Sequence, residues 1–241
     1  MSIYGKTCLV VVPARGGSKG ILRKNLSTLG NRSLIRIVGE MVNSLEWVDM
    51  SILSSDSSEI IEEGARFGLD AIFVRPSYLS DDWATAIAVW THAFKEAERA
   101  SSQTYDFSVL LEPTSPFRRK CHVENAVKML IEDGYDSVIS LSETDSKSHP
   151  LKQFTLGNNG KLDLYAEEGR NIVARQQLAP VYHRNGAVYA ITRDCLLKKG
   201  TIISDATGGF IIENPMVNID SPTDLEWARY LWDKQEVKNR Q

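Results

Sequence analysis

Between Cys8 and Glu132 an apolar segment of strand length is followed four times by a segment with helical periodicity, and this alternation limits the possible folds more than any other property of the chain. The strand candidates are Cys8–Pro13, Met50–Asp56, Asp70–Pro76 and Asp106–Glu112. After the first, apolar residues at 34, 37, 38, 41, 42 and 45 recur at the spacing of one helical face, so that helix covers a sheet on one side. A second helix is expected from Glu59 to Phe67, capped by Ser57 or Ser58 and stopped at Gly68. A third runs from about Trp83 to Arg99 and a fourth from Val123 to Glu132. Strands with continuous apolar centres imply a sheet covered on both faces. The rhythm predicts an α/β fold with a mainly parallel sheet flanked by helices, whose ligands bind at the carboxyl ends of the strands. That edge carries the segment after Pro13 together with Asp56, Arg75 and Glu112.

A fifth strand at Asp136–Ser142 continues the pattern, which then breaks. Gln153 to Tyr165 alternates polar and apolar residues on both sides of Gly157-Asn158-Asn159-Gly160, the signature of a β-hairpin. The stretch 144–183 reads as a small lobe inserted into one domain of 1–241, because roughly 40 residues do not easily bury a core of their own. Such a lobe gains burial by packing on a second subunit, which makes it a dimerisation element. Gly186–Ile191 returns to the sheet, Gly209–Glu213 follows, and Pro222 opens a last helix to about Glu236.

The segment Ala14-Arg15-Gly16-Gly17-Ser18-Lys19-Gly20-Ile21-Leu22-Arg23-Lys24-Asn25 follows the first strand and carries four cations and no carboxylate. Three glycines allow positive φ and a close approach of backbone N–H groups to a ligand, so the loop reads as a phosphate cradle. It is neither a Walker loop, because Lys19 is followed by Gly, nor a Gly-x-Gly-x-x-Gly dinucleotide turn. A solvated basic loop is the competing reading. The chain's net charge of −3 makes this cluster local, so its target is a small anion rather than nucleic acid or an anionic membrane. Cys8, Cys121 and Cys195 form no Cys-x-x-Cys pair and suit a reducing cytosol. No apolar stretch has the length of a membrane span, and Met1–Lys6 lacks a signal core. Pro113 and Pro116 stiffen the chain after the fourth strand, either to present ligand contacts or as a plain turn with Arg118 and Arg119 solvated.

Five blocks together carry a family likeness: Val12-Pro13-Ala14-Arg15-Gly16-Gly17-Ser18-Lys19-Gly20-Ile21, Arg23-Lys24-Asn25, Leu111-Glu112-Pro113-Thr114-Ser115-Pro116-Phe117-Arg118, Arg175-Gln176-Gln177-Leu178 with Arg184-Asn185-Gly186-Ala187-Val188-Tyr189, and Asn218-Ile219-Asp220-Ser221-Pro222-Thr223-Asp224. In this order, over almost the whole chain, they resemble the CMP-sialic acid synthetases (acylneuraminate cytidylyltransferases), with their CMP-legionaminic and CMP-pseudaminic acid relatives. The Kdo cytidylyltransferases fit less well, since their opening loop usually runs Ser-x-Arg-Leu-Pro and they lack the Arg-Gln-Gln block.

The resemblance implies a Rossmann-like nucleotide-binding sheet in a cytoplasmic homodimer. It also implies a reaction in which the anomeric hydroxyl of a nine-carbon α-keto sugar acid attacks the α-phosphate of CTP with Mg²⁺ assistance and releases pyrophosphate. Arg15 and Lys24 are implied for the triphosphate, with Ala14, Gly16, Ser18 and Lys19 beside them, and Asn25, Arg75, Ser80 and Asp82 around cytosine and ribose. Glu112, Lys152, Arg175, Gln176, Asn185 and Tyr189 are implied for the sugar, with a partner subunit completing the site, and Asp220 and Asn218 for the metal. The family often has Asp where this chain has Asn218, so one anionic ligand is replaced by a neutral one, and Leu22 replaces a frequent Pro. Asp224 is more simply a first-turn acid of the last helix. Of the histidines only His183 lies near the expected sugar pocket, and it is given no catalytic role. The base for the hydroxyl is left open between metal-bound water and Asp220. Two other readings stand beside this one: a nucleotidyltransferase of another sugar or base, and a nucleotide-binding regulatory protein with a degenerate site, suggested by Asn218.

Overall fold

The structure is a computed structural model that describes residues 3–239, and side chains as far as 235. Met1 and Ser2, part of the N-terminal segment read for a signal core, lie outside the described residues. Strand β1, Cys8–Pro13, runs through the middle of the molecule and is buried over nearly its whole length. Its side chains alternate between two cores, as a strand's period of two requires. Cys8, Val10 and Val12 pack with Ile35, Val38 and Val42, while Leu9 and Val11 pack with Trp90, Ala93 and Phe94.

After a small ribbon of β2, Thr28–Leu29, and β3, Arg32–Ser33, comes α1, Leu34–Asn43, whose first turn is capped by Ser33 accepting from Arg36 N. Strand β4, Met50–Ser54, and α2, Ser58–Arg66, follow as expected. Helix α3, Ala86–Ser101, begins later than the expected Trp83. The Asp81 carboxylate takes the amides of Trp83 and Ala84 in a turn, and Thr85 caps the helix through Ala88 N. Strand β5, Phe107–Leu110, leads to α4, Lys120–Glu132, then β6, Ser137–Glu143. The hairpin strands are β7, Phe154–Leu156, and β8, Leu162–Leu164. The chain returns in β9, Tyr182–Thr192, adds β10, Thr207–Ile211, and ends in α5, Pro222–Asn239.

The main sheet has the order β10-β6-β9-β5-β1-β4. Strand β9 is antiparallel to β5 and β6, and the other neighbouring pairs are parallel. With α1 and α4 on one face and α3 on the other, the mainly parallel, helix-flanked α/β fold expected from the alternation is borne out.

The segment Asp70–Pro76 is not the strand its composition suggests. Only Asp70 pairs, in a single parallel bridge to Ile52, and Arg75 N then bonds Ser55 O at 2.8 Å. Ile72 and Val74 are exposed at this edge, so among the described residues no element buries them as a further apolar strand would need. The hairpin is present at its expected place, with Phe154 opposite Leu164 and Leu156 opposite Leu162 in a ribbon separate from the main sheet. Phe154, Leu156, Leu162 and Tyr165 on it are exposed. Among the described residues no helix is long and apolar enough to cross a membrane.

Candidate active site

A cavity of about 550 Å³ opens at the carboxyl ends of β1 and β5. Its wall includes Arg15, Ser18, Lys19, Lys24, Asn25, Arg75 and Asp82 on one side and Glu112, Asn218 and Asp220 on the other. Ten residues implied for the nucleotide, sugar or metal are thus brought together from five separate stretches of sequence.

The loop after β1 owes its shape to close contacts more than to left-handed backbone. Among the described residues Gly16, Gly17 and Gly20 have no positive φ, and the one left-handed residue of the loop is Arg23, at φ 56°, which turns the chain into a short helical turn at Lys24–Leu26. Gly16 donates its N–H to Asp56 Oδ1 at 2.8 Å, so it is docked on the entrance to α2 and lies off the cavity wall. Gly20 meets the last segment of the site: a Cβ there would sit 2.4 Å from the carbonyl oxygen of Asp220. Ala14 is buried, with its N–H on Ser54 O, and Asn25, also buried, donates to Arg15 O at 3.0 Å, which ties the two ends of the loop together.

The cations are held in place by carboxylates. Arg15 Nη1 lies 2.9 Å from Asp82 Oδ1, and Lys19 pairs with the other oxygen of the same carboxylate. Hydrogen bonds from Lys19 and Arg15 hold the Asp82 carboxyl below the usual range. Lys24 Nζ, largely buried, lies 2.8 Å from Asp220 Oδ1. Arg75 is buried behind them with its guanidinium on Ser54 Oγ and the Ser54 carbonyl, and burial lowers its pKa to about 10. Ser80 is off the wall, where its hydroxyl closes a turn on Pro76 O at 3.2 Å.

Glu112 stands at the far side. Burial, followed by the neighbouring charge of Asp220, pushes its carboxyl up to about 7 against the opposing pull of Arg118 and Lys24. Arg118 is neither solvated nor a wall residue. It is buried, its Nε donates to Ala187 O at 2.7 Å and its Nη2 to Glu112 O, so it fastens the Pro113–Pro116 turn to β9. Burial lowers its pKa to about 10, with Glu112 acting the other way. Ile219 N donates to Thr114 O at 2.8 Å, which joins the Asn218–Asp220 segment to the same turn. Asp224 is the first-turn acid of α5 that its position suggested, and it also accepts from Ser221 N at 2.8 Å and Asp220 N at 3.1 Å.

A second cavity of about 280 Å³ adjoins the first and shares Ala86, Leu110, Glu112 and Asn218 with it. Arg184, Tyr189 and Ile202 complete its wall. Burial, and then Glu112, pushes the Tyr189 hydroxyl up to about 12. Asn185 faces elsewhere: it is buried, its Oδ1 accepts from Ser140 Oγ at 2.6 Å and Ala187 N at 3.1 Å, and its Nδ2 donates to Ser142 Oγ at 3.1 Å. Lys152, Arg175 and Gln176 lie on the lobe, away from both cavities. Arg175 lines a separate small recess with Glu143 and His149.

Three further residues shape the site. Gly186, at φ 70°, passes between Glu112, Ser115 and Asn218, and a Cβ there would come within 2.7 Å of Glu112 Oε2 and of Ser115 Oγ. An Asn-Gly pair is a turn signal, but its meaning depends on groups about 70 residues away in sequence. Arg118 and Arg184 carried no spacing that distinguishes a strut or wall residue from a surface charge.

The fold and this edge define a nucleotide-binding α/β protein with a basic loop facing a carboxylate-bearing turn. A solved CMP:2-keto-3-deoxy-manno-octonic acid synthetase complexed with CTP superposes with a TM-score of 0.69 at 16% identity, covering 95% of this chain and 99% of that one, a likeness of fold. Residues 9–233 match the Cytidylyltransferase family model, and the chain belongs to that family. It is 32% identical over 227 residues, 93% of this chain and 95% of the other, to a pseudaminic acid cytidylyltransferase of Campylobacter jejuni. It is 28% identical, over 91% of this chain and 93% of the other, to a CMP-N,N'-diacetyllegionaminic acid synthase of Legionella pneumophila. The family assignment read from the five blocks is borne out.

Proposed function

We propose that this cytidylyltransferase couples CTP to a nine-carbon α-keto sugar acid of the nonulosonic class. The observation that carries the reading is the pair of joined cavities, one walled by the basic loop and the other by Glu112, Arg184 and Tyr189, with Asn218 and Glu112 where they meet. The nature of the relatives, which act by name on pseudaminic and diacetyllegionaminic acids, supports the substrate class.

In this reading Arg15, Lys19 and Lys24 bind the triphosphate and Arg75 and Asn25 face the nucleoside. The sugar lies in the second cavity with its anomeric hydroxyl toward the junction. That oxygen forms a bond to the α-phosphorus, the bond to the β-phosphate bridging oxygen breaks, and pyrophosphate leaves. The hydroxyl proton passes to Glu112, the carboxylate at the junction with a pKa near neutrality. No covalent enzyme intermediate is needed, so alignment and charge neutralisation supply the catalysis.

Asp220 and Asn218 would hold Mg²⁺. Asn218 Oδ1 is buried and accepts no hydrogen bond, and an orphaned carbonyl oxygen two residues from a carboxylate suits a hard cation. Among the described residues no cluster of three His, Cys, Asp or Glu side chains could hold a metal alone, so phosphate oxygens would complete its shell. The ion would neutralise charge on the phosphates and the leaving group. The lobe 144–183, with its exposed Phe154, Leu156 and Leu162, is the proposed dimer contact, which would bring Lys152, Arg175 and Gln176 to a neighbouring subunit's site. The three free thiols fit a cytoplasmic setting.

The test is pyrophosphate release with each of the four nucleoside triphosphates against pseudaminic, legionaminic, N-acetylneuraminic and Kdo acids, with and without Mg²⁺. Release that needs CTP, the metal and one nine-carbon acid supports the reading. Release with none of the acids, or with Kdo alone, overturns it.

A further inference from the structure

Regular β9 geometry would send residues 184 and 189, an odd number apart, to opposite faces of the sheet. The observed register prevents this. Tyr189 lies opposite Ile139 and Arg184 opposite Leu141, so five steps along β9 match two along β6. The three surplus residues form a bulge around Gly186, at φ 70°, and a bulge re-aims the side chains on either side of it. Here it brings Arg184 and Tyr189 to the wall of one cavity, beside Glu112.

The bulge is pinned from beneath. Ser140 Oγ accepts from Val188 N at 2.8 Å and donates to Asn185 Oδ1 at 2.6 Å, while Asn185 Nδ2 reaches Ser142 Oγ at 3.1 Å. The backbone that carries Arg184 is therefore held by buried hydrogen bonds, and its side chain is exposed to the cavity.

Charge pairing separates Arg184 from the loop cations. Arg15 and Lys19 are paired with Asp82, Arg23 with Glu59 and Lys24 with Asp220. Arg184 forms no salt bridge with a carboxylate among the described residues, and it is the one cation on the wall of the second cavity. A guanidinium presents two parallel donors that match a carboxylate. In the cyclic form of an α-keto sugar acid the carboxylate and the attacking hydroxyl are on the same carbon. A group that grips the carboxylate therefore also fixes the hydroxyl, at the side of the cavity where Glu112 stands.

We propose that Arg184 is the carboxylate receptor for the sugar acid, a positioning residue that sets the hydroxyl against the α-phosphate. The proposal rests on the α-keto acid reading above. It assigns the carboxylate to the chain's own bulged strand rather than to Lys152 or Arg175 on the lobe.

The test is steady-state pyrophosphate release by the intact protein, using the acid that the wild type accepts. Arg184→Gln should raise the KM for the acid by about 10- to 100-fold, the loss expected for one charge-assisted contact, with the KM for CTP changed less than about twofold. Arg184→Lys should fall between the two, and guanidinium ion added to Arg184→Ala should lower the acid's KM again. Thermal melting of each variant shows whether it is folded, and Arg184→Lys retains the charge if Arg184→Gln is unstable. An acid KM in Arg184→Gln within threefold of wild type overturns the proposal alone, as does an equal rise in both KM values or a large acid-specific rise in Arg175→Gln instead. A wild type inactive with every acid removes the α-keto acid reading and this proposal with it.

Discussion

Replacing Glu112 with Gln tests the electrostatics of the junction directly. The carboxyl has a pKa of about 7 in the folded chain, raised chiefly by burial, against an ordinary value of 4.5. Between those values the folded protein keeps a proton that the unfolded chain has released. Stability is therefore greatest, as far as this group is concerned, below about pH 4.5 and falls as pH rises through about 7. At 1.36 kcal/mol per pH unit the loss comes to about 3 kcal/mol. Glutamine cannot titrate, so Glu112→Gln lacks this slope. For a chain of 241 residues, about 3 kcal/mol corresponds to roughly 6–12 °C in Tm. The assay is scanning calorimetry from pH 5 to 8 in chelator-treated buffer without nucleotide. The variant should melt higher than wild type at pH 8, with the gap closing toward pH 5. The same variant should lose about 100-fold or more in kcat, because the proton acceptor is gone. A gap that stays constant with pH, or a wild type more stable than the variant at pH 8, would refute the argument.

Two further substitutions probe the walls. Lys24→Ala removes the largely buried ammonium opposite Asp220 and should raise the KM for CTP about 10- to 100-fold in a pyrophosphate-release assay, while the melting temperature changes by only a few degrees. Gly186→Ala forces a methyl to 2.7 Å from Glu112 Oε2 and from Ser115 Oγ at a left-handed residue, so it should cost about 2–4 kcal/mol in denaturant unfolding and displace Glu112.

The strands and helices that bury one face were legible because their apolar periodicity is local. Cys8–Pro13 and Leu34–Asn43 could be read without knowing their neighbours. Asp70–Pro76 has the composition of a strand, but β4 is the edge of the sheet, and Arg75 turns inward to bond Ser54 while Ile72 and Val74 face solvent. That the loop gathers cations was legible, and Arg15, Lys19 and Lys24 do line one cavity, whereas the reason for Gly20 was not, since the group it accommodates is the backbone of Asp220. The same holds for β9. Its composition suggested a strand, but its antiparallel direction and its bulge, which bring Arg184 beside Tyr189, arise from pairing with β5 and β6. Family likeness pointed to Asn185 and Arg175 by position, and the structure shows the first engaged inside the sheet and the second on the lobe.

The central claim is that the sugar acid's own hydroxyl oxygen attacks the α-phosphorus of CTP. It is tested most directly with an accepted nonulosonic acid carrying ¹⁸O at the anomeric hydroxyl, followed by phosphorus NMR and mass spectrometry of the products. The account predicts the label in the sugar–phosphate bridge of the CMP-sugar and none in pyrophosphate. Label released to water or found in pyrophosphate, or no CMP-sugar from any nine-carbon acid, would contradict it.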